Sequence, residues 1–392
     1  MDLQDFENST TGRLVETTIH LTHYRAFVPN PLPPEIPPSW TLTKLVSEAD
    51  RALSELAGVG RMIPEPSILI EPFMRREAVL SSRIEGTHTG FEELYGYESG
   101  HQLPGFSQSN FARLENQEVL NYVKALKSGM EWIKEKPVDL ALLKELNQLL
   151  LYGVRGNESV PGEFREIQNF IGRTNNPEDA TFIPPSVEEL PGTLRKFETY
   201  LRSGNQYPSV VRIGLIHYQF EAIHPFIDGN GRVGRLLTIL LMAAWNILPS
   251  PLLYLSAYFE QRREEYYQEL LNVSKKGSWE NWLNFFLNAI IYQAKDAVKR
   301  STSLIDLREK WRKILNENNV SSHYYTIVDN LFKKPFLSVS DIQTLLGVTN
   351  KAARTMVMRL ELLGILKIIE EKKYGKIFEA AEIIKILQMS YK

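Results

Sequence analysis

The sequence predicts an all-α protein that carries one β-hairpin flap and a small C-terminal winged-helix domain. Three observations carry that expectation. Apolar residues recur at three- and four-residue spacing through most of the chain, the period of a helix face. Between 164 and 184 the period breaks into two short β-like runs around Asn175-Asn176-Pro177, which reads as a hairpin. Residues 321–392 then place two short helices before two β-rich runs, the order of a winged helix.

The elements follow in order. Pro29, Pro31, Pro33, Pro34, Pro37 and Pro38 make 26–38 an extended, polyproline-like arm. Helical spacing then covers 42–57, 72–84, 110–134 and 139–151, and Gly86 stops the second of these. After the hairpin, helices are expected at 185–203, 209–222, 232–245, 262–274 and 279–299, with a connecting helix at 304–316. In the last segment, Ser338 to Asp341 cap a helix to Leu346, and 350–363 form a second helix. Strands at 365–369 and 376–380 flank a wing that holds Lys372 and Lys373.

Composition excludes several classes. The 392 residues are too many for one compact core, and 43% hydrophobic with 23% charged is ordinary globular usage. A net charge of −2 gives no global pull toward nucleic acid or membrane. The chain has no Cys, which removes disulfides, zinc–thiolate sites and cysteine nucleophiles. The longest apolar run, 236–245, is closed by Pro249 and is too short to span a bilayer. Residues 1–12 are polar and acidic, unlike a secretory signal. No membrane contact and a cytoplasmic home are therefore expected.

Chemistry concentrates in His224-Pro225-Phe226-Ile227-Asp228-Gly229-Asn230-Gly231-Arg232-Val233-Gly234-Arg235. A helix ends at a histidine, and a glycine-rich turn then opens the next helix, whose N-terminus is an anion site. Arg232 and Arg235 share one face of that helix. Asp228 offers a hard oxygen ligand suited to Mg²⁺, and His224 has a pKa suited to general-base work. Together these make a phosphoryl-type transfer site. Gly229 to Gly234 also match the dinucleotide fingerprint G-x-G-x-x-G, but that motif must follow a strand within a βαβ unit, and here it follows a helix. His217 and His224 lack the further ligands of a zinc site.

The same twelve residues resemble, at every fixed position, the Fic family motif H-P-F-x-D-G-N-G-R-x-x-R. The resemblance implies a helical Fic core that transfers AMP from ATP, with Mg²⁺, to a protein hydroxyl. It implies His224 as the base and Asp228 as the metal ligand. Gly229, Asn230 and Gly231, continued by Val233 and Gly234, form the phosphate-holding turn, and Arg232 and Arg235 hold the β- and γ-phosphates. Phe226 plugs the core beneath the loop. Pro161 to Arg165 with 168–183 resemble the flap on which a protein substrate docks by β-augmentation. Tyr266 and Tyr267 resemble the wall of the adenine pocket, with Tyr267 facing the nucleotide.

Ser81-Ser82-Arg83-Ile84-Glu85-Gly86 resembles the family's inhibitory motif (S/T)-x-x-x-E-(G/N). The resemblance implies that Glu85 pairs with Arg235 and withholds it from ATP, with Ser81 and Gly86 completing the motif. In some relatives the same glutamate helps remove AMP. The domain scheme is then 1–108, an N-terminal region with the proline-rich arm and inhibitory helix; 109–300, the catalytic core; 301–320, a connecting helix; and 321–392, the winged helix. That last segment holds 11 Lys/Arg and 7 Asp/Glu, or 11 − 7 = +4 against −2 for the whole chain. Lys351, Arg354 and Arg359 on its second helix suit either a DNA duplex or a protein partner. A homodimer through the core is a further expectation, and a nucleotide-sensing regulator is the alternative to an enzyme.

Overall fold

The computed structural model describes residues 4–19, 22–62, 65–98, 100, 109–154, 160–172, 174, 176–203, 207–370 and 376–389. Helices dominate them, as expected. A short helix α1 (Gln4–Glu7) leads into a hairpin, β1 (Gly12–Ile19) and β2 (Thr22–Pro29). This corrects the extended arm at its N-terminal end. Ala26, Phe27 and Val28 are buried, and Phe27 N–H donates to the Ile183 carbonyl at 2.8 Å. Burial of that strand, and not its prolines, fixes its conformation.

Next come α2 (Trp40–Met62), α3 (Ser67–Ile84), α4 (Phe91–Glu98), α5 (Asn110–Trp132) and α6 (Leu140–Leu150). Ser109 and Asp139 cap α5 and α6 through backbone N–H groups three residues on. The flap consists of β3 (Ile171–Gly172) and β4 (Ala180–Phe182), an antiparallel pair, and residues 173 and 175 at its turn lie outside the described set. α7 (Leu190–Arg202) starts five residues later than its spacing suggested, because Pro184 and Pro185 hold the chain extended before it.

The centre of the core is the pair α8 (Ser209–Ile223) and α9 (Asn230–Ala244). All but two residues of α8 are buried, polar Arg212, His217 and Gln219 among them, so it threads the middle of the molecule. α10 (Ser256–Gln261), which the spacing did not reveal, and α11 (Arg263–Lys276) cover it. Trp282 lies on the next helix and donates its indole N–H to the Gly214 carbonyl at 2.9 Å.

That helix, α12 (Trp279–Glu317), runs unbroken for 39 residues. It replaces the two separate helices expected at 279–299 and 304–316. The polar run at 300–303 read as a break, yet Arg300 and Ser301 are buried and Arg300 is held by Asp296 one turn back at 2.7 Å.

The C-terminal unit is α13 (Ser322–Lys333), β5 (Phe336–Ser338), α14 (Val339–Leu346), α15 (Asn350–Leu362), β6 (Lys367–Glu370), β7 (Ile377–Glu379) and α16 (Ala381–Gln388). Its sheet order is β5-β7-β6. Ser338 and Asp341 form a capping box on α14. The wing lysines Lys372 and Lys373 lie outside the described residues. This unit packs on the core: Tyr95 meets Phe336 with ring centroids 5.9 Å apart, and Lys333 reaches Glu65 at 2.5 Å. No described helix is long and apolar enough to cross a membrane.

Candidate active site

The loop between α8 and α9 holds the motif residues His224 to Gly229. His224 ends α8 with φ 49° and ψ 60°, a left-handed conformation that turns the chain sharply and swings the imidazole off the helix axis. Gly229 (φ 83°) then starts α9, and the Val233 N–H bonds its carbonyl at 2.9 Å. The first-turn N–H groups of Asn230, Gly231 and Arg232 precede the helical ladder, which gives the helix start its anion-attracting character.

Polar side chains lock the loop in place. Asn230 Oδ1 accepts from the Phe226 N–H at 2.9 Å while its Nδ2 donates to the Phe226 carbonyl at 2.8 Å. The Asn230 side chain is therefore a brace for the loop, and only its backbone is available to a phosphate. Phe226 is buried beneath the turn against Phe164, at 5.2 Å between centroids, as expected of a plug. Val233 is fully buried in the core, and Gly234 abuts Glu221, so neither presents a side chain to the cleft.

Three residues that the motif did not reveal complete the brace. Asn147 of α6, 1% exposed, donates to the Asp228 carbonyl and accepts from the Gly162 N–H, both at 2.9 Å. Arg165 donates from Nε to the His224 carbonyl at 3.0 Å and from Nη2 to the Pro185 carbonyl. Asn169 donates to the Phe226 carbonyl at 3.0 Å. The base of the hairpin and the 224–229 loop are thus one hydrogen-bonded assembly. The N-terminal hairpin backs it, with Thr17 donating to Gln168 at 3.1 Å and Ile19 and Ala26 packing on Ala180 and Ile183.

His224 is held neutral. Its Nδ1 faces the Glu221 carbonyl at 3.3 Å; a carbonyl only accepts, so Nδ1 carries the hydrogen and Nε2 keeps its lone pair. Burial, reinforced by the nearby Arg165 charge, pushes its pKa down to about 4. His217, by contrast, is sealed inside. Its Nε2 meets the Tyr266 hydroxyl at 2.8 Å, its ring stacks on Trp282, and burial drives its pKa to about 3.

The two arginines have different partners. Arg232 Nη2 lies 3.3 Å from Asp228 Oδ1 and its Nη1 3.7 Å from Glu118, while its buried Nε has no hydrogen-bond partner. Arg235 is fully engaged: its Nη2 binds Glu85 Oε1 at 2.6 Å and the Ser81 carbonyl at 3.0 Å, and its Nε binds Ser81 Oγ at 2.8 Å. Burial opposes the Glu85 charge, but Arg235, then Arg232, hold its carboxyl below the ordinary range.

Glu85 also lies against the helix start. A Cβ added to Gly231 would overlap Glu85 Oε1, so only glycine there admits the carboxylate. Gly86 (φ 94°) turns the chain away behind it. Tyr267 closes this side, with its hydroxyl 3.5 Å from the Ile84 carbonyl and its ring 40% exposed, while Tyr266 is buried.

A second carboxyl lies across α9. A Cβ on Gly234 would overlap Glu221 Oε1, and that oxygen is buried without a hydrogen-bond partner. Burial pushes the Glu221 pKa up to about 8, so it is largely protonated at neutral pH.

Sequence comparison finds two family matches in this chain. Residues 43–131 match the Fic/DOC family N-terminal region and residues 137–242 match the Fic/DOC family domain. The chain carries both Fic/DOC domains.

The curated relatives are named protein adenylyltransferase Fic. Those of Drosophila grimshawi and Drosophila mojavensis are each 30% identical over 176 residues, or 44% of this chain. The aligned region spans about a third of their length, 32% and 31% respectively. Among solved structures, a Fic family protein from Desulfovibrio desulfuricans G20 superposes with a TM-score of 0.58 at 20% identity, covering 89% of this chain and 98% of that one. A Fic domain containing signaling protein from Bacteroides thetaiotaomicron VPI-5482 gives 0.50 at 18% identity, covering 67% of this chain and 97% of that one. These likenesses establish the Fic fold.

Proposed function

We propose that this Fic/DOC chain is a protein adenylyltransferase held in check by Glu85. The observation that carries the reading is the juxtaposition of a neutral His224, whose Nε2 lone pair is uncommitted, with a helix start whose second arginine is occupied by Glu85. ATP lays its phosphates on the N–H groups opening α9. Arg232, buried but with one nitrogen unpartnered, is ready for phosphate oxygens. The hydroxyl of a Ser, Thr or Tyr on a protein laid along the flap attacks the α-phosphorus. Its proton passes to His224 Nε2, and the bond to the β-phosphate breaks, so that pyrophosphate leaves.

Asp228 fits a Mg²⁺ site of the sparse kind. Its side chain is 47% exposed, and Mg²⁺ at phosphate sites uses one or two carboxylates and completes its shell with water and phosphate oxygens. No group of three or more acidic or histidine side chains forms a metal cage among the described residues. Bound there, Mg²⁺ would neutralise charge on the phosphates.

With Glu85 in place, Arg235 is withheld from the nucleotide and a carboxylate stands at the phosphate turn. Glu85→Gly is expected to raise transfer of label from α-labelled ATP to protein about a hundredfold, the scale of one preorganised cation or donor. Adding His224→Ala should abolish the signal. Equal labelling by wild type and Glu85→Gly would remove the brake, and labelling that survives His224→Ala would remove the assigned base. Removal of AMP by water, with Glu85 assisting, would be a separate hydrolysis at the same site, in which water attacks the α-phosphorus and releases AMP and the free hydroxyl; pre-labelled protein incubated with wild type tests it. A cytoplasmic location, a core-mediated homodimer, and a DNA or protein partner for 321–392 belong to this proposal as well. On α15 the exposed Met358 and Leu362, 62% and 79%, alternate with Arg354 and Arg359 and favour a protein partner over DNA.

A further inference from the structure

Behind α3, on the side away from the catalytic loop, lies a cavity of about 450 Å³. It sits where α3, α4, α10, α12 and α16 meet, and Gln388 of α16 closes its rim by donating to Glu92 at 3.1 Å. Phe91 and Tyr292 give it aromatic walls. Two arginines of α3, Arg76 and Arg83, line it; seven residues apart, they stand two turns apart on one face.

Both arginines are loosely partnered. Arg76 has a side chain only 19% exposed, and its nearest carboxylate, Asp296, stands 3.7 Å away. Asp296 gives both oxygens to Arg300, at 2.7 and 3.1 Å, and Arg76 makes no side-chain hydrogen bond among the described residues. Arg83 has Glu260 at 4.0 Å. Each guanidinium carries five donors, and its carboxylate neighbour lies in ion-pair range but beyond hydrogen-bond distance. Consistently, burial and then the neighbouring Arg300 charge push the Arg76 pKa down to about 10.

We propose that this cavity binds a small oxyanion-bearing molecule, a phosphate or a carboxylate, through Arg76 and Arg83. Glu92, Glu260 and Asp296 also line the cavity. They confine the anion to the α3 side and limit how much negative charge the ligand can carry. A bound anion ties α3 to α12 and α16. Because Ser81 and Glu85 extend from the same helix, occupancy holds Glu85 on Arg235; this last consequence rests on the proposed brake, whereas binding itself does not.

Hydrogen-exchange mass spectrometry on the full chain, with inorganic phosphate and separately with succinate, tests the site. The expected result is slower exchange in 67–84 and 292–300, with the midpoint ligand concentration raised about tenfold in Arg76→Met, the scale of losing one charged hydrogen-bond donor. Protection at 226–235 from phosphate on the catalytic turn should be unchanged in that variant. Protection confined to 226–235, or α3 protection indifferent to Arg76→Met, would overturn the proposal. Arg83→Met, at an exposed position, serves as the second variant and should weaken the same protection. The ligand that acts at the lower concentration assigns the anion class. If α3 is protected but Glu85→Gly fails to label protein, the site stands and the brake falls.

Discussion

His224 shows how one backbone conformation sets a side chain's chemistry. The left-handed turn carries it off α8 while its Nδ1 stays tied to the Glu221 carbonyl, so burial and Arg165 act on an imidazole that is already oriented. A base with a pKa near 4 is unprotonated across the neutral range. Transfer by Glu85→Gly is therefore expected to stay level from pH 6 to 8, and more firmly so because Glu85 is one of the charges that raise the His224 pKa. An acid limb centred near 6.5 in the rate profile would show that His224 titrates as an ordinary histidine. Glu221 behaves oppositely. Its pKa rises from 4.5 unfolded to about 8 folded, so the native state binds a proton that the unfolded chain releases. Its contribution is full below pH 4.5 and is lost as pH climbs toward 8. Glu221→Gln should thus gain in melting temperature relative to wild type as pH rises from 5 to 8; a constant difference would refute the shift. His224, Asp228 and both arginines are legible as one motif. Asn147, Arg165 and Glu221 gain their positions only through folding, since a lone buried polar side chain leaves no periodic signature, and the inward brace of the Asn230 side chain is visible only in the structure.

At the scale of elements, helix existence followed from spacing, whereas element ends and joins did not. α12 reads as two helices because buried Arg300 looks like a surface residue until Asp296 and the end of α16 supply its partners. The N-terminal hairpin was masked for a related reason: its polar face alternates weakly, and its buried face is defined by the flap, far away in sequence. The bracing of the catalytic loop belongs to this scale too. Asn147 joins α6, the flap base and the loop, so Asn147→Ala removes two hydrogen bonds at about 1 kcal/mol each, with a further cost for the stranded groups. Labelling by Glu85→Gly should fall about tenfold on adding Asn147→Ala, while unfolding in urea shifts by about 2–4 kcal/mol. Unchanged labelling would mean that the loop holds its shape without α6.

For the whole molecule, a small cluster lies under the hairpins, and one large core runs from Phe6 through α8 and α9 to Leu387. The C-terminal unit is built into it through Leu304, Leu307, Trp311 and Leu315 of α12, and through the contact of α13 with α3. Leu304 is completely buried, and Leu304→Ala is expected to cost about 2–5 kcal/mol. Since both units lean on that residue, fluorescence and far-ultraviolet dichroism should melt together in the variant; two separated transitions would show that the units fold independently. The continuity of α12 has a practical corollary. At about 1.5 Å per residue, its 39 residues form a rod roughly 58 Å long. The chain contains no Cys, so cysteines introduced at the exposed Glu280 and Glu317 would take a dye pair at those two positions alone. The rod then becomes an internal ruler of fixed length, against which a third label on α3 would register any displacement of Glu85 when nucleotide, anion or partner binds.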